Sequence, residues 1–211
     1  LNDLNFYNWD DYIGENTLSN FADQTGITTK MDFFADNDEL FSKLREGNPG
    51  YDIIVPSDIY VEKMIKANML DRIDHEKISN MNNIDKNFLN PVFDPNRGYS
   101  IPYLWGTVGI GYNMSRVEER PNSWSYLYQS GKYSTNISLL SEATTVIAIG
   151  LKYLGHSLNS MNIRDYKEVE ELLIEQKKHI KVFAEDNGQD LLASGDVVLA
   201  QEFNGDIAQL M

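Results

Sequence analysis

Leu4-Asn5-Phe6-Tyr7-Asn8-Trp9-Asp10-Asp11-Tyr12 is the stretch around which the rest of the chain is organised. Its first half is rich in residues of high β-propensity and lacks glycine and proline, so it predicts a strand. Its second half places Trp9 and Tyr12 on either side of two carboxylates. Aromatic faces attract cations and carboxylates accept their N–H groups, so this strand end suits an organic cation. A solvated acidic turn beside two half-buried rings explains the same residues without a ligand.

Helices and strands alternate after this opening. Thr17 is predicted to cap a helix that closes at Gly26, and Asn37 to cap a second helix that closes at Gly47. Residues 28–34, between these helices, have the composition of a strand. The chain therefore begins with a regular strand–helix repeat.

Asp52-Ile53-Ile54-Val55 is short and almost continuously apolar, which predicts a strand covered on both faces. It leads into Pro56-Ser57-Asp58 and a further helix. Three strand–helix units in succession are typical of a mostly parallel sheet with helices on both faces. Ligands bind such sheets at the carboxyl ends of the strands, so Ser57 is predicted to lie at the same edge as Trp9.

The pattern restarts near Trp105, after a loop-rich segment. Strands are predicted at 107–112, 137–140, 182–183 and 197–203, and helices around Trp124 and at 142–154, 164–177 and 189–193. The sequence therefore predicts two α/β domains, 1–105 and 106–211. In the second domain Glu142 opens a helix, where a carboxylate also suits the helix dipole. Phe203-Asn204-Gly205-Asp206 is a further strand end that joins a ring to a carboxylate.

The composition excludes several classes of function. The 211 residues carry 18 basic and 32 acidic side chains, a net charge of −14, which argues against nucleic acid or an anionic membrane as a partner. The absence of cysteine excludes disulfides, thiolate zinc sites and cysteine nucleophiles. No apolar run approaches the roughly 20 residues of a membrane span.

Common enzyme motifs are absent as well. The sequence has no phosphate loop, no dinucleotide-binding glycine motif, no zinc-protease motif and no nucleophile elbow. Gly109-Ile110-Gly111 falls within a predicted strand and indicates close packing only. Asp94 begins a segment that looks like a calcium loop, but Trp105 stands where that loop requires glutamate, so a turn is predicted. We predict no catalytic residue, metal ligand or cofactor.

With these motifs the chain resembles the periplasmic spermidine/putrescine-binding proteins of polyamine ABC transporters, which are type II solute-binding proteins of two lobes. The resemblance lies in residues 6–12, 51–57, 60–64, 93–96, 99–106, 154–157 and 203–206. Its most specific parts are Asn8-Trp9-x-x-Tyr12 and Ser100-Ile101-Pro102-Tyr103-x-Trp105-Gly106. It implies an α/β fold with mostly parallel sheets. Because family chains are longer by roughly a hundred residues, this sequence is expected to lack the C-terminal third, including the return segment to the first lobe.

The resemblance also implies a ligand site. Its ligand-binding residues are Trp9, Asp10, Asp11, Tyr12, Ser57, Glu142, Phe203 and Asp206. In this set Trp9 and Tyr12 face the polyamine with their rings, and Asp206 matches an acidic residue of putrescine-preferring members. The chain departs from the family at Thr145, where a second glutamate is expected, and at Ile59, where an aromatic is common.

The function implied is that of a non-enzymatic, exported protein, periplasmic or anchored to the membrane as a lipoprotein. It would act as a monomer that captures spermidine or putrescine and delivers it to a membrane permease. Two alternatives stay open. One is a binding protein for another small cationic solute, and the other is an acid–base enzyme that uses Asp10 and Glu142 for proton transfer.

Overall fold

The computed structural model describes residues 3–10, 12–129, 131–185 and 187–211. The chain folds as two compact units, Leu1–Trp105 and Gly106–Met211. Each unit is built on its own β-sheet, of three strands in the first and four in the second. Within the described residues, no helix combines the length and hydropathy needed to cross a membrane.

The first unit is a parallel sheet with helical connections. Its elements are β1 (Asp3–Asn8), α1 (Thr17–Thr25), β2 (Thr28–Phe33), α2 (Asn37–Arg45), β3 (Ile53–Ile54) and α3 (Asp58–Lys66), followed by short 3-10 turns at His75–Lys77, Ser79–Asn83, Lys86–Phe88 and Pro95–Arg97. The strand order is β2-β1-β3, and both pairs are parallel. The fully buried ring of Tyr7, on the central strand, packs with Phe34, Leu40 and Met64 to form the core.

The predicted burial of β3 is wrong. The sequence predicts a strand covered on both faces, but only Ile53 and Ile54 form it, and Ile53 is 45% exposed. The strand lies at the edge of its sheet, where it pairs with β1 alone among the described strands. A short edge strand needs less cover than a central one, so its continuous apolar composition overstates its burial.

Both predicted helix caps in this unit are displaced by one residue. The N-cap of α1 is Asn16, and that of α2 is Asp36, whose carboxylate accepts a hydrogen bond from the Glu39 backbone N–H at 2.8 Å. Thr17 and Asn37 are instead the first residues of their helices. Gly26 closes α1 in the left-handed conformation, with φ of 72°, as predicted.

The second unit has a mixed sheet and a larger core. Its elements are β4 (Val108–Tyr112), α4 (Ser125–Tyr128), β5 (Ile137–Leu140), α5 (Ala143–Tyr153), α6 (Ile163–Lys177), β6 (Ile180–Ala184), α7 (Gly188–Ala193), β7 (Leu199–Phe203) and α8 (Asn204–Gln209). The strand order is β4-β7-β5-β6, and among the described pairs only β4–β7 is antiparallel. Leu127, Ile137, Leu139 and Leu199 are fully buried at its centre. The predicted mostly parallel α/β architecture is confirmed.

Glycine in β4 lets two helices approach the sheet closely. A Cβ on Gly111 would lie 2.5 Å from Cδ1 of Ile207 in α8 and 2.7 Å from Cδ1 of Leu192 in α7. The predicted close packing is therefore confirmed at Gly111. Helix α8 itself was not predicted, because the sequence after Phe203 was interpreted only as a polar strand end.

Candidate functional site

Trp9 follows the last residue of β1 and is held by two neighbours. Its indole Nε1–H donates to the carbonyl oxygen of Val55 at 2.8 Å, which ties the end of β1 to the end of β3. Its ring packs against Phe34, with centroids 4.5 Å apart. Because the indole has only one N–H and it is used internally, Trp9 can offer a ligand only its ring surface.

Tyr12 is the second ring of this strand end. Its centroid lies 6.2 Å from that of Trp9, with the planes tilted by 56°. Its backbone carbonyl accepts hydrogen bonds from the Tyr103 hydroxyl and, at 3.5 Å, from the side-chain amide of Asn8. The turn that carries the rings is thus fixed by contacts from two other parts of the first unit.

The turn between Trp9 and Tyr12 carries two carboxylates, Asp10 and Asp11. Asp10 is exposed to solvent. Asp11 lies outside the described residues. An exposed carboxylate keeps its hydration and attracts a cation at long range, while the neighbouring rings supply short-range contact.

Ser57 stands at the end of β3 and immediately before α3, and it is paired with Asn37. The Asn37 side-chain N–H donates to the Ser57 hydroxyl oxygen at 2.9 Å, and the Ser57 backbone N–H donates to the Asn37 side-chain oxygen, also at 2.9 Å. Asn37 is only 2% exposed. Sequence reasoning assigned Asn37 to helix capping and missed this pairing, since nothing local links residues 20 positions apart.

In the second unit, Glu142 occupies the N-cap position of α5. Its side chain makes no capping hydrogen bond to the described backbone of the helix; its carboxylate instead accepts from the Thr145 hydroxyl at 2.6 Å. A negative charge at a helix N-terminus is stabilised by the helix dipole. Thr145, one of the departures from the family pattern, is therefore a direct partner of the predicted ligand-binding glutamate.

Phe203 and Asp206 lie at the end of β7 and in the first turn of α8. The Phe203 ring is half-buried against the core of the unit, and Asp206 is 3% exposed. The preceding Glu202 is 1% exposed, and its carboxylate accepts from the Phe203 backbone N–H at 2.9 Å. Buried carboxylates are stable only with partners, so this end of β7 is a polar region enclosed in the protein rather than a solvated turn.

The topology groups the predicted residues within each unit. In the first unit the Trp9–Val55 hydrogen bond brings the ends of β1 and β3 together, with Ser57 two residues further on. In the second unit β5 and β7 are parallel neighbours, so Glu142 and Phe203 follow the same edge of the sheet. Trp9, Ser57, Glu142 and Phe203 therefore each lie at or just beyond the end of a strand.

A separate cavity of about 500 Å³ lies in the first unit, lined by Arg72, His75, Phe93, Asp94 and Tyr99 among others. Its described lining contains no residue of the predicted set. The buried Asp94 carboxylate accepts from the backbone N–H groups of Gly98 at 3.0 Å and of Ser100 at 2.8 Å. It therefore closes a turn, as predicted, and among the described residues no cluster suited to a metal ion occurs.

Residues 16–211 match the family of bacterial extracellular solute-binding proteins, and the chain belongs to this family. It is 37% identical, over 209 residues, to the spermidine/putrescine-binding periplasmic protein of Escherichia coli (strain K12), covering 97% of this chain and 59% of that protein. It is 34% identical, over 218 residues, to the putrescine-binding periplasmic protein SpuD of Pseudomonas aeruginosa (strain UCBPP-PA14), covering 98% and 59%.

Solved structures give the same result. A putative spermidine/putrescine ABC transporter protein from Listeria monocytogenes matches with a TM-score of 0.91 and 32% identity, over 100% of this chain and 65% of that one. The Tp0655 lipoprotein of Treponema pallidum matches with a TM-score of 0.90 and 29% identity, over 98% and 65%. The chain thus spans about 59% of the length of the curated relatives cited above. The predicted resemblance and the binding-protein fold class are confirmed.

Proposed function

We propose that this protein binds a polyamine, spermidine or putrescine, outside the cytoplasm and delivers it to the membrane permease of an ABC transporter. The observation that carries this proposal is the 37% identity with a spermidine/putrescine-binding protein across 97% of the chain. The aromatic and acidic strand ends supply the chemistry that such a ligand needs. We further propose that the protein acts as a monomer, either periplasmic or anchored by a lipid, and that residues 1–105 and 106–211 are its domains here.

The proposed ligand contacts are Trp9, Asp10, Asp11, Tyr12 and Ser57 in the first unit and Glu142, Phe203 and Asp206 in the second. A polyamine is an apolar chain with ammonium groups, so each nitrogen that leaves water needs compensation. Charge-assisted hydrogen bonds contribute about 1.5–3 kcal/mol each and cation–π contacts about 0.5–2 kcal/mol. Two or three of each are enough for micromolar affinity, about −8 kcal/mol, after the cost of ordering the ligand.

The two acids of the enzyme alternative have different surroundings. Asp10 is exposed to solvent. Glu142 is engaged by the Thr145 hydroxyl.

Calorimetric titration of the full-length protein tests the proposal. Putrescine and spermidine are expected to bind with micromolar or tighter dissociation constants and to be recovered unchanged. Lysine and thiamine, as cations of different shape, serve as controls and are expected to bind at least about tenfold more weakly, a difference of 1.4 kcal/mol. Preference for either control would favour another cationic solute, and chemical conversion of a diamine would favour the enzyme.

A further inference from the structure

The pairing of Asn37 with Ser57 fixes the orientation of both polar groups on Asn37. A backbone N–H can only donate, so the Asn37 side-chain oxygen must face the Ser57 N–H. The Asn37 side-chain N–H₂ must then face the Ser57 hydroxyl oxygen, 2.9 Å away. The arrangement cannot be reversed by turning the amide over, because two donors would then meet.

This geometry determines what the Ser57 hydroxyl can offer. Its oxygen accepts from Asn37, so the hydroxyl proton cannot lie along that bond and has to point elsewhere. Ser57 is the N-cap of α3, where serine usually bonds to the helix backbone, yet it makes no such bond to the described residues. One proton and one lone pair of this hydroxyl are therefore directed away from both Asn37 and the first turn of α3.

Burial shows why Asn37 can hold this orientation. Asn37 is 2% exposed, so water does not compete for its amide groups, and a misdirected amide would place a buried donor against another donor. Its position as the first residue of α2 ties the start of that helix to the junction of β3 and α3. The Ser57 hydroxyl is therefore held in place by Asn37 at the start of α2.

We propose that Asn37 is a positioning residue for the ligand, acting through Ser57. This inference rests on the proposed function. With Asn37 in place, the Ser57 hydroxyl oxygen accepts one N–H of an ammonium group with its remaining lone pair, and its proton points away from Asn37. Asn37 thereby limits Ser57 to a single acceptor for the ligand and sets how strongly this strand end binds an amine.

Asn37→Asp reverses the polarity of the pair while preserving its shape. The aspartate oxygen still accepts from the Ser57 backbone N–H, but the second oxygen can no longer donate, so the Ser57 hydroxyl must donate to it. Both Ser57 lone pairs are then available to an ammonium. We expect N37D to bind putrescine at least about threefold more tightly than the wild type, as one strengthened hydrogen bond allows.

The added negative charge would also attract a cation, so the test is made as a cycle. Putrescine is titrated calorimetrically into four forms of the full-length protein: wild type, N37D, S57A and N37D/S57A. In the S57A background the hydroxyl is missing and N37D reports the charge effect alone. For each background we divide the dissociation constant without N37D by the one with it. This ratio is expected to be at least about twofold smaller in the S57A background than in the wild-type background.

The outcomes separate the two proposals. Wild-type protein that binds no polyamine overturns both the proposed function and this inference. Wild-type binding with equal N37D ratios in both backgrounds overturns the inference alone, since Asn37 then acts without Ser57. Asn37→Ala provides a second check: it is expected to weaken binding in the wild-type background but not in the S57A background, and thermal unfolding measures its separate effect on stability.

Discussion

The two units place their predicted ligand-binding groups in opposite settings. In the first unit the strand end consists of rings held by neutral hydrogen bonds, with Asp10 exposed. In the second unit Asp206 is only 3% exposed and the nearby Glu202 only 1%, while Glu142, at the start of α5, is partly buried. A buried carboxylate is desolvated and acts strongly at short range, whereas an exposed one is screened. Acidic residues at similar strand ends therefore differ in how much each can contribute to the binding of a cation.

The cores of the units differ in the same direction. Among the described residues, α1 of the first unit has no fully buried side chain, while all four residues of β5 in the second unit are buried. Close packing at Gly111 draws α7 and α8 onto the second sheet. Substitutions in the packed core of the second unit are therefore expected to act mainly through stability, and those at the strand ends of either unit mainly through ligand contact.

Gly111→Ala is expected to have the largest effect, on stability. The added methyl group would lie within 2.7 Å of the terminal carbons of both the Leu192 and Ile207 side chains, so these side chains, or the helices that carry them, must shift. Overpacking of this kind costs about 1–3 kcal/mol in the free energy of unfolding, measurable by urea denaturation. Gly109→Ala, in the same strand, is the matched control. No described atom beyond its chain neighbours lies within 4 Å of its Cβ position, and an equal loss there would contradict tight packing at Gly111.

Asp206→Asn tests the buried acid. Because Asp206 is 3% exposed, its charge is little screened, and its loss is expected to weaken putrescine binding more than tenfold, about 1.4 kcal/mol. Calorimetry gives the dissociation constant, and circular dichroism checks that the variant is folded. An unchanged dissociation constant would place Asp206 outside the ligand site.

Trp9→Leu tests the rings of the first unit. It removes the aromatic face while keeping an apolar side chain, and the lost cation–π contact is expected to weaken putrescine binding about fivefold. Trp9→Phe is the control, since it keeps a ring and loses only the hydrogen bond to Val55. If both variants lose the same affinity, the loss comes from the missing hydrogen bond to Val55 and not from the missing ring face.

Asp10→Asn should produce the smallest change. Its carboxylate is exposed, and an exposed charge contributes about 0.2–1 kcal/mol, which corresponds to a dissociation constant weakened by at most about fivefold at low salt. The difference from wild type is expected to shrink when the titration is repeated in 0.5 M salt. At this ionic strength the Debye screening length is below about 8 Å, so the exposed charge is screened more strongly. An effect as large as that of Asp206→Asn would remove the distinction between the buried and exposed acids.

Local sequence predicted the order of strands and helices because strand composition and helix closure are local properties. The strand predicted at 137–140 is β5 (Ile137–Leu140), and Gly26 ends α1 as expected. Family resemblance, rather than periodicity, supplied the candidate ligand-binding residues. No physical pattern in the sequence distinguishes Glu142 from the other acids at helix starts.

What the sequence did not reveal depends on contacts between distant segments. The exposure of Ile53 follows from the place of β3 at the sheet edge, which strand composition does not encode. Asp36 and Asn37 are both residue types that cap helices; in the fold Asp36 bonds to Glu39 as the cap, and Asn37 bonds to the distant Ser57. The glycine pair in β4 indicates close packing, but it does not reveal that Ile207 of α8 lies beside Gly111 or that Asp206 of the same helix is buried.

The hydrogen bond from Trp9 to Val55 has a spectroscopic consequence. The chain contains three tryptophans, of which Trp105 is 75% exposed and Trp124 is half-buried. Trp9 is the one whose indole N–H is bound to a carbonyl at a strand end, so its emission reports on the polarity of that edge. A diamine bound against the Trp9 ring would change the polarity around the indole and therefore its emission, and comparison with Trp9→Phe identifies that part of the signal.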